Sequence, residues 1–269
     1  MAARALPLLL LLALSGCRQG RAPAPRIDPG LAALIPAKAT GVIGIENEEL
    51  RATGLYKRYR ARLEGFGPRQ EPLESARELL LASTGRGLLV AARGDLPAAA
   101  GLVLLEPGLT VSGSPAEVRA AQERRQARAR PAWPLLARAE EVAAGNQVWA
   151  VGEGWAGELV AGAPGGPNLA NLEKILAGLR QATLGADLRN GLQALATGEC
   201  RSGQDAKRIA DSVRGLVGLA RLTLPDDQLD LLRALDGVQV EQQGQAVRLK
   251  LALPEELAAK LIELMLRAR

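Results

Sequence analysis

The sequence predicts an α+β fold made of two similar halves, each a mainly antiparallel sheet packed with helices. Apolar residues make up 48% of the chain and aromatic residues only 2%, which indicates a packed core of Leu, Val and Ala. Short apolar runs between glycine turns are typical of strands, and they alternate with helical patterns. The same order of elements then recurs later in the chain.

The first half, residues 30–130, begins with a buried strand at Gly41–Glu46. A basic helix follows at Glu48–Leu63, with leucines at helical spacing. Three apolar runs then predict strands, and Pro107-Gly108 marks a hairpin into a fourth. These runs are Leu79–Ser83, Leu88–Ala92, Gly101–Leu105 and Leu109–Ser112.

The second half, residues 131–269, begins with a helix at Leu135–Ala144 and a strand at Gln147–Gly152 that matches Gly41–Glu46. A helix is predicted next. Its apolar face consists of Leu172, Ile175, Leu176 and Leu179.

Both halves end in a hairpin, a proline and a helix. In the first half, the capping box of Ser114 and Glu117 with Pro115 between them starts a helix that runs to about Arg128. In the second half, Pro254 starts the last helix after an alternating hairpin. A helical pair at about 204–236 has no counterpart, so we interpret the chain as a duplicated unit with one insertion or deletion. A coincidental likeness of two ordinary halves is the alternative.

The N-terminal residues match a bacterial lipoprotein signal. Residues 1–16 contain an apolar run that is too short to span a bilayer, and they end in Leu-Ser-Gly before Cys17. We expect Cys17 to be lipidated and residues 17–29 to form an extended tether. An ordinary signal peptide with an incidental cysteine is the alternative. Three acyl chains would anchor the protein permanently.

The residue after the anchor favours one location. Arg18 follows Cys17 and is not the aspartate that retains lipoproteins in the inner membrane. We therefore expect a lipid-anchored protein of the cell envelope, in the outer membrane and facing the periplasm.

The composition excludes several kinds of chemistry. The chain has no histidine, which removes Ser-His-Asp and Cys-His nucleophiles and histidine metal sites. It has two cysteines, and Cys200 is left over once Cys17 is lipidated, so it could pair only between chains. We expect no cofactor and no metal. Basic residues are not interleaved with aromatic ones, so nucleic acid is not an expected partner.

Two other patterns have ordinary structural explanations. Residues 152–157 match G-x-G-x-x-G, but glycines and prolines soon interrupt the segment, so a loop is favoured over a dinucleotide site. Two acidic clusters lie where helices should begin, and we interpret them as helix caps and not as a calcium site. They are Glu46, Glu48 and Glu49, and Asp226, Asp227 and Asp230.

The candidate partner surface combines basic and aromatic residues. A dense basic run on one helix could contact lipid phosphates or an acidic protein, with a solvated helix face as the alternative. Tryptophans in a chain so poor in aromatics suggest a binding surface, with a core role as the alternative. The members of this surface are Arg119, Arg124, Arg125, Arg128, Trp149 and Trp155.

Four segments resemble a group of uncharacterised secreted proteins and lipoproteins from GC-rich, acidobacterial-type genomes. They span most of the mature chain, and none is a chemical motif. They are Leu34–Ala37, Val111–Arg119, Asn146–Trp149 and Asp205–Ala210. The resemblance implies the same order of elements and no activity.

These observations leave three hypotheses. The first is a non-catalytic, membrane-tethered envelope protein that works through protein or surface contacts. The second is a periplasmic carrier that binds an apolar or anionic small ligand between the two halves. The third is a hydrolase of the Ser-Lys kind, which lacks support because the chain has no S-x-x-K motif.

Overall fold

The chain folds around one antiparallel sheet of ten strands. The structure is a computed structural model, and it describes residues 26–63, 73, 75–85, 87–97, 101–154, 176–224 and 228–267. The strand order is β4-β5-β3-β2-β1-β6-β7-β8-β10-β9, and every neighbouring pair is antiparallel. Together with the helices described below, this confirms the predicted α+β class.

Runs of two to four strands are separated by helices along the described chain, except at β1, which stands alone between helices. The strands are β1 Gly41–Glu46, β2 Glu78–Ser83, β3 Leu88–Arg93, β4 Val103–Glu106, β5 Leu109–Gly113, β6 Val148–Glu153, β7 Leu179–Asp187, β8 Leu192–Cys200, β9 Val238–Gln243 and β10 Ala246–Leu253. The helices are α1 Pro29–Ala32, α2 Asn47–Ala52, α3 Gly54–Leu63, α4 Pro115–Gln126, α5 Leu136–Ala143, α6 Gly203–Thr223, α7 Leu229–Asp236 and α8 Glu255–Arg267. None of the described helices has the length and apolar content to cross a membrane.

The two halves meet where β1 pairs with β6. Gly41 lies opposite Gly152 and Gly44 lies opposite Trp149 in this pair. Outward from the pair, the order is β2, β3, β5, β4 on one side and β7, β8, β10, β9 on the other. Each half therefore contributes five strands in the same order, but the two predicted sheets are joined into one.

The main core lies on one face of the sheet and holds most of the large buried side chains. Trp149 is 1% exposed, and a Cβ at Gly44 would lie 2.1 Å from its ring, so only glycine fits opposite it. Leu31 and Leu34, which flank the end of α1, pack into the same cluster with Leu80 of β2. The N-terminal segment is thus part of the folded body from Ile27, which is fully buried.

The helical connection between β8 and β9 covers the sheet in the second half. In α6, Ala206, Ile209 and Ala210 pack against Cys200 and Val247. Alternate residues of a strand point to opposite faces of the sheet. The residues of β8 and β10 that point away from α6 are largely solvent-exposed. Helices lie at the predicted 204–236, as α6 and α7.

Several predicted elements differ from the structure. Strands β7 and β8 were not predicted, and Leu179, assigned to a helix, is the first residue of β7. The predicted helix Glu48–Leu63 is two helices, because Thr53 is extended (ψ 150°) and its hydroxyl caps the second one at Tyr56 N. Cys200 is the last residue of β8 and is 1% exposed.

Candidate functional site

The candidate site is an apolar cavity of about 350 Å³ in the second half. It lies between the end of α6, the helix α7, the strands β9 and β10, and the helix α8. Nine residues line it, and eight of them have apolar side chains. They are Ala220, Thr223, Leu224, Leu231, Ala234, Leu235, Val238, Leu251 and Leu261.

Helix α6 positions one wall of the cavity. Its start is fixed by Ser202, whose Oγ accepts a hydrogen bond from Asp205 N at 3.1 Å and donates one to Asp205 Oδ2 at 2.8 Å. Its first half then packs on the sheet through Ile209 and Ala210. At 1.5 Å per residue, the 21-residue helix extends far enough for its last turns to form the wall.

Helix α8 forms the opposite wall. Glu255 and Glu256 lie in its first turn, where acids favour a helix start. Ala258 and Ala259 pack against Leu253 of β10 and Tyr59 of α3. These small side chains let the helix lie close to the sheet, and they leave its next turn, with Leu261, facing the cavity.

The lining has one side chain that could donate a hydrogen bond to a ligand, and its proton is already donated elsewhere. Thr223 is its one residue with a polar side chain, and the Thr223 hydroxyl lies 3.0 Å from Leu219 O and 3.2 Å from Ala220 O. Its proton is therefore donated within the helix and is not offered to a ligand. The cavity is suited to apolar groups.

The apolar lining continues to the protein surface along α6. Leu216 and Leu219 are 47% and 57% exposed, and they lie one turn before Ala220 and Thr223. Leu222 is 86% exposed, and Leu229 at the start of α7 is 57% exposed. A Cβ at Gly215 or Gly218 would meet no atom within 4 Å, so this stretch of helix is uncovered.

The predicted partner surface is not assembled as a basic and aromatic patch. Trp149 is buried in the main core, so the core alternative is confirmed for this residue and the surface interpretation is wrong. Trp133 is also buried (4% exposed), and its Nε1 donates to Ala39 O at 3.0 Å. Trp155 lies outside the described residues, as does Cys17.

The arginines of α4 have different surroundings. Arg125 forms an ion pair with Glu106, which also bonds Arg93 and has its pKa lowered by these partners. Arg124 is half-buried, with Nε and Nη2 buried without a hydrogen-bond partner, and burial lowers its pKa. Arg119 and Arg128 are exposed. Only these two of the four present a free charged face.

Carboxylates cluster where the N-terminal segment joins the sheet. Glu46 and Glu78 lie opposite each other on β1 and β2, and both Glu78 oxygens lie 3.1 Å from Asp28 N. Asp28 caps α1 through Gly30 N and contacts Arg93 Nε at 3.0 Å. These contacts attach the N-terminal segment to the sheet.

Burial makes two of these carboxyls weak acids. Burial, followed by the nearby Glu46 carboxylate, raises the pKa of Glu78 to about 8. Burial, followed by the Glu49 charge, raises the pKa of Glu46 to about 7. Glu46 is the N-cap residue of α2 but its side chain makes no capping hydrogen bond, whereas Glu48 and Glu49 lie in the first turn of that helix.

The other predicted sites do not form reactive arrangements. Asp230 pairs with Arg233 and Lys260, and Asp226 and Asp227 lie outside the described residues. Within the described ranges, no three His, Cys, Asp or Glu residues come together as a metal site. Burial, followed by the charge of Asp205, raises the pKa of the Cys200 thiol.

Comparison with known proteins gives a likeness of fold. No protein-family model and no curated protein matches the chain. Crystal form III of TP0453 is 11% identical with a TM-score of 0.50, and it covers 88% of this chain and 98% of its own. Crystal form I is 12% identical with a TM-score of 0.49, over 88% and 96% of the two chains. At 11% identity, the likeness to crystal form III supports the α+β architecture alone.

Proposed function

We propose that this protein is a membrane-anchored envelope lipoprotein that binds an apolar ligand in the cavity of its second half. The cavity is the observation that carries the ligand-binding role. It lies within the second half, whereas a ligand was expected between the halves. The binding role takes precedence over the contact role because Trp149 is buried and Arg125 is ion-paired, which removes two members of the predicted partner surface.

The chemistry of the lining supports this role. A cavity of about 350 Å³ falls at the small end of ligand pockets, which range from about 300 to 1,000 Å³. A water molecule needs two to four polar partners, and the lining offers few. An apolar group would gain about 25 cal/mol for each Å² that it removes from water.

The anchoring role rests on the lipobox at Cys17 and on the folded start of the body. Ile27 is fully buried, and the backbone N–H groups of Arg26 and Ile27 both donate to the Glu140 carboxylate. Labelled palmitate should be incorporated by the wild type and lost with Cys17→Ala. Incorporation by the variant would refute the anchor.

The binding role is tested with N-phenyl-1-naphthylamine, an uncharged dye that fluoresces in apolar surroundings. The wild type should bind the dye saturably. Ala220→Trp places an indole in the cavity and should abolish binding, whereas Ala116→Trp, on an exposed position of α4, should not. Circular dichroism of both variants checks that the fold is kept. Equal binding by the two folded variants would refute the cavity as the site.

A further inference from the structure

Charged residues are adjacent in sequence to lining residues of the cavity, and each of the three cations among them pairs with one of the two carboxylates. They are Arg221, Arg233, Lys260, Asp230 and Asp236. A cavity that is apolar inside and has an arginine in contact with its lining is suited to an amphiphile with a negative head group.

Arg221 is hydrogen-bonded to a residue of the lining. Its Nη2 donates to Leu235 O at 3.2 Å, and Leu235 is itself a lining residue. The same nitrogen lies 2.9 Å from Asp236 Oδ1. The guanidinium therefore bridges the ends of α6 and α7 at the edge of the cavity.

The present partner of Arg221 is weakly held. The Asp236 side chain is 68% exposed and the Arg221 side chain 43% exposed. Exposed pairs of this kind contribute little to stability, so a competing carboxylate can replace Asp236 without disrupting the fold.

We infer that the cavity takes a single-chain anionic amphiphile, a fatty carboxylate, whose chain fills the cavity and whose head group binds Arg221 in place of Asp236. The inference rests on the proposed ligand-binding function. The volume favours one short chain over a two-chain lipid, because it lies at the bottom of the range for small-ligand pockets. The planar guanidinium can bind a carboxylate through two hydrogen bonds.

The test is displacement of N-phenyl-1-naphthylamine by decanoate and by decanamide, which share a chain and differ in head-group charge. At pH 7.5 the wild type should bind decanoate about tenfold more tightly than decanamide, the gain expected from a charge-assisted pair. Arg221→Gln should remove this preference and leave decanamide binding unchanged. The matched control, Arg214→Gln, removes an arginine of the same helix that pairs with Asp211, and it should keep the preference.

A second variant separates recognition from folding. Asp236→Asn removes the competing carboxylate and should raise decanoate affinity, whereas damage to the fold would lower it. Equal displacement by both compounds, or a preference that survives Arg221→Gln, would overturn the head-group assignment and leave the cavity in place. Failure of the dye itself to bind would overturn the proposed function as well.

Discussion

We predict that the carboxylate pair of Glu46 and Glu78 makes the protein less stable as the solution becomes more alkaline. Glu78 is 6% exposed and faces Glu46 across β1 and β2, so ionising both places two negative charges close together in a desolvated site. Glu78→Gln keeps the shape and one oxygen to accept from Asp28 N, and it removes the ionisable group. The variant should therefore lose the part of the pH dependence that Glu78 contributes and keep the part that comes from the half-buried Glu46 beside Glu49.

The direction of the pH effect follows from how tightly Glu78 holds its proton in the folded and in the unfolded protein. The folded Glu78 carboxyl, with its pKa raised to about 8, keeps its proton where an unfolded carboxyl, with a pKa of 4.5, has released it. The folded state thus binds more protons between these values, and its stability falls as the pH rises through them. Each pKa unit corresponds to about 1.4 kcal/mol. Glu46 is partly exposed, and the charge of Arg77 partly offsets the repulsion between the carboxylates. We therefore expect the free energy of unfolding to fall by about 2–4 kcal/mol from pH 5 to pH 8.5.

The measurement is urea unfolding, followed by the fluorescence of the buried Trp133 and Trp149, at half-unit steps from pH 5 to pH 8.5. Glu78→Gln should match the wild type near pH 5 and exceed its free energy of unfolding at pH 8.5. The control is Glu241→Gln on exposed β9, where the pKa is lowered by Lys250. It should show no alkaline gain. A wild-type slope that persists in Glu78→Gln would refute the reasoning.

Three further predictions concern the core. Trp149→Ala should lower the free energy of unfolding by about 3–5 kcal/mol in urea titration, because a large, fully packed ring is removed; a loss below about 1 kcal/mol would contradict its core position. Gly44→Ala should destabilise by about 3 kcal/mol or more, because the new methyl would overlap the Trp149 ring; retention of the wild-type midpoint would contradict that packing. Cys200 should react with a thiol reagent far more slowly in the native protein than in urea, because it is buried and its pKa is raised. Equal rates would show that the Cys200 thiol at the end of β8 is accessible to the reagent in the native protein.

Much of the fold could be predicted because local patterns and tertiary packing agree. The strand β1, the hairpin of β4 and β5, and the helix after Ser114 all follow from short-range signals, and Ser114 Oγ does accept from Glu117 N. The strands β7 and β8 could not be predicted in the same way. They contain Ala, Gly and Gln where strands usually carry branched residues, and their pairing with β6 and β10 decides their conformation.

The candidate site was harder to predict because it depends on gaps between elements. In a chain with few aromatic residues, Trp149 was interpreted as part of a binding surface, but Gly44 has no side chain and leaves room for the Trp149 ring in the core.

The exposed leucines of α6 could have been recognised from the sequence. From Gly215 to Thr223 the helix has one charged residue, Arg221, so both of its faces are apolar, which is unusual for a helix with one side on a sheet.

The cavity lies at a connection in which the two halves differ. Residues 94–102 join β3 to β4, whereas α6 and α7 join β8 to β9, and five of the nine lining residues belong to these two helices. Within α6, the turns up to Val213 pack against the sheet, and Ala220 and Thr223 in the last turns line the cavity. Substitutions at Ala220 or Thr223 should consequently change ligand binding while the sheet stays covered, and large substitutions at Ile209 or Ala210 should lower the stability of the protein. This division within one helix allows the connection to line a cavity without disturbing the sheet on which it packs.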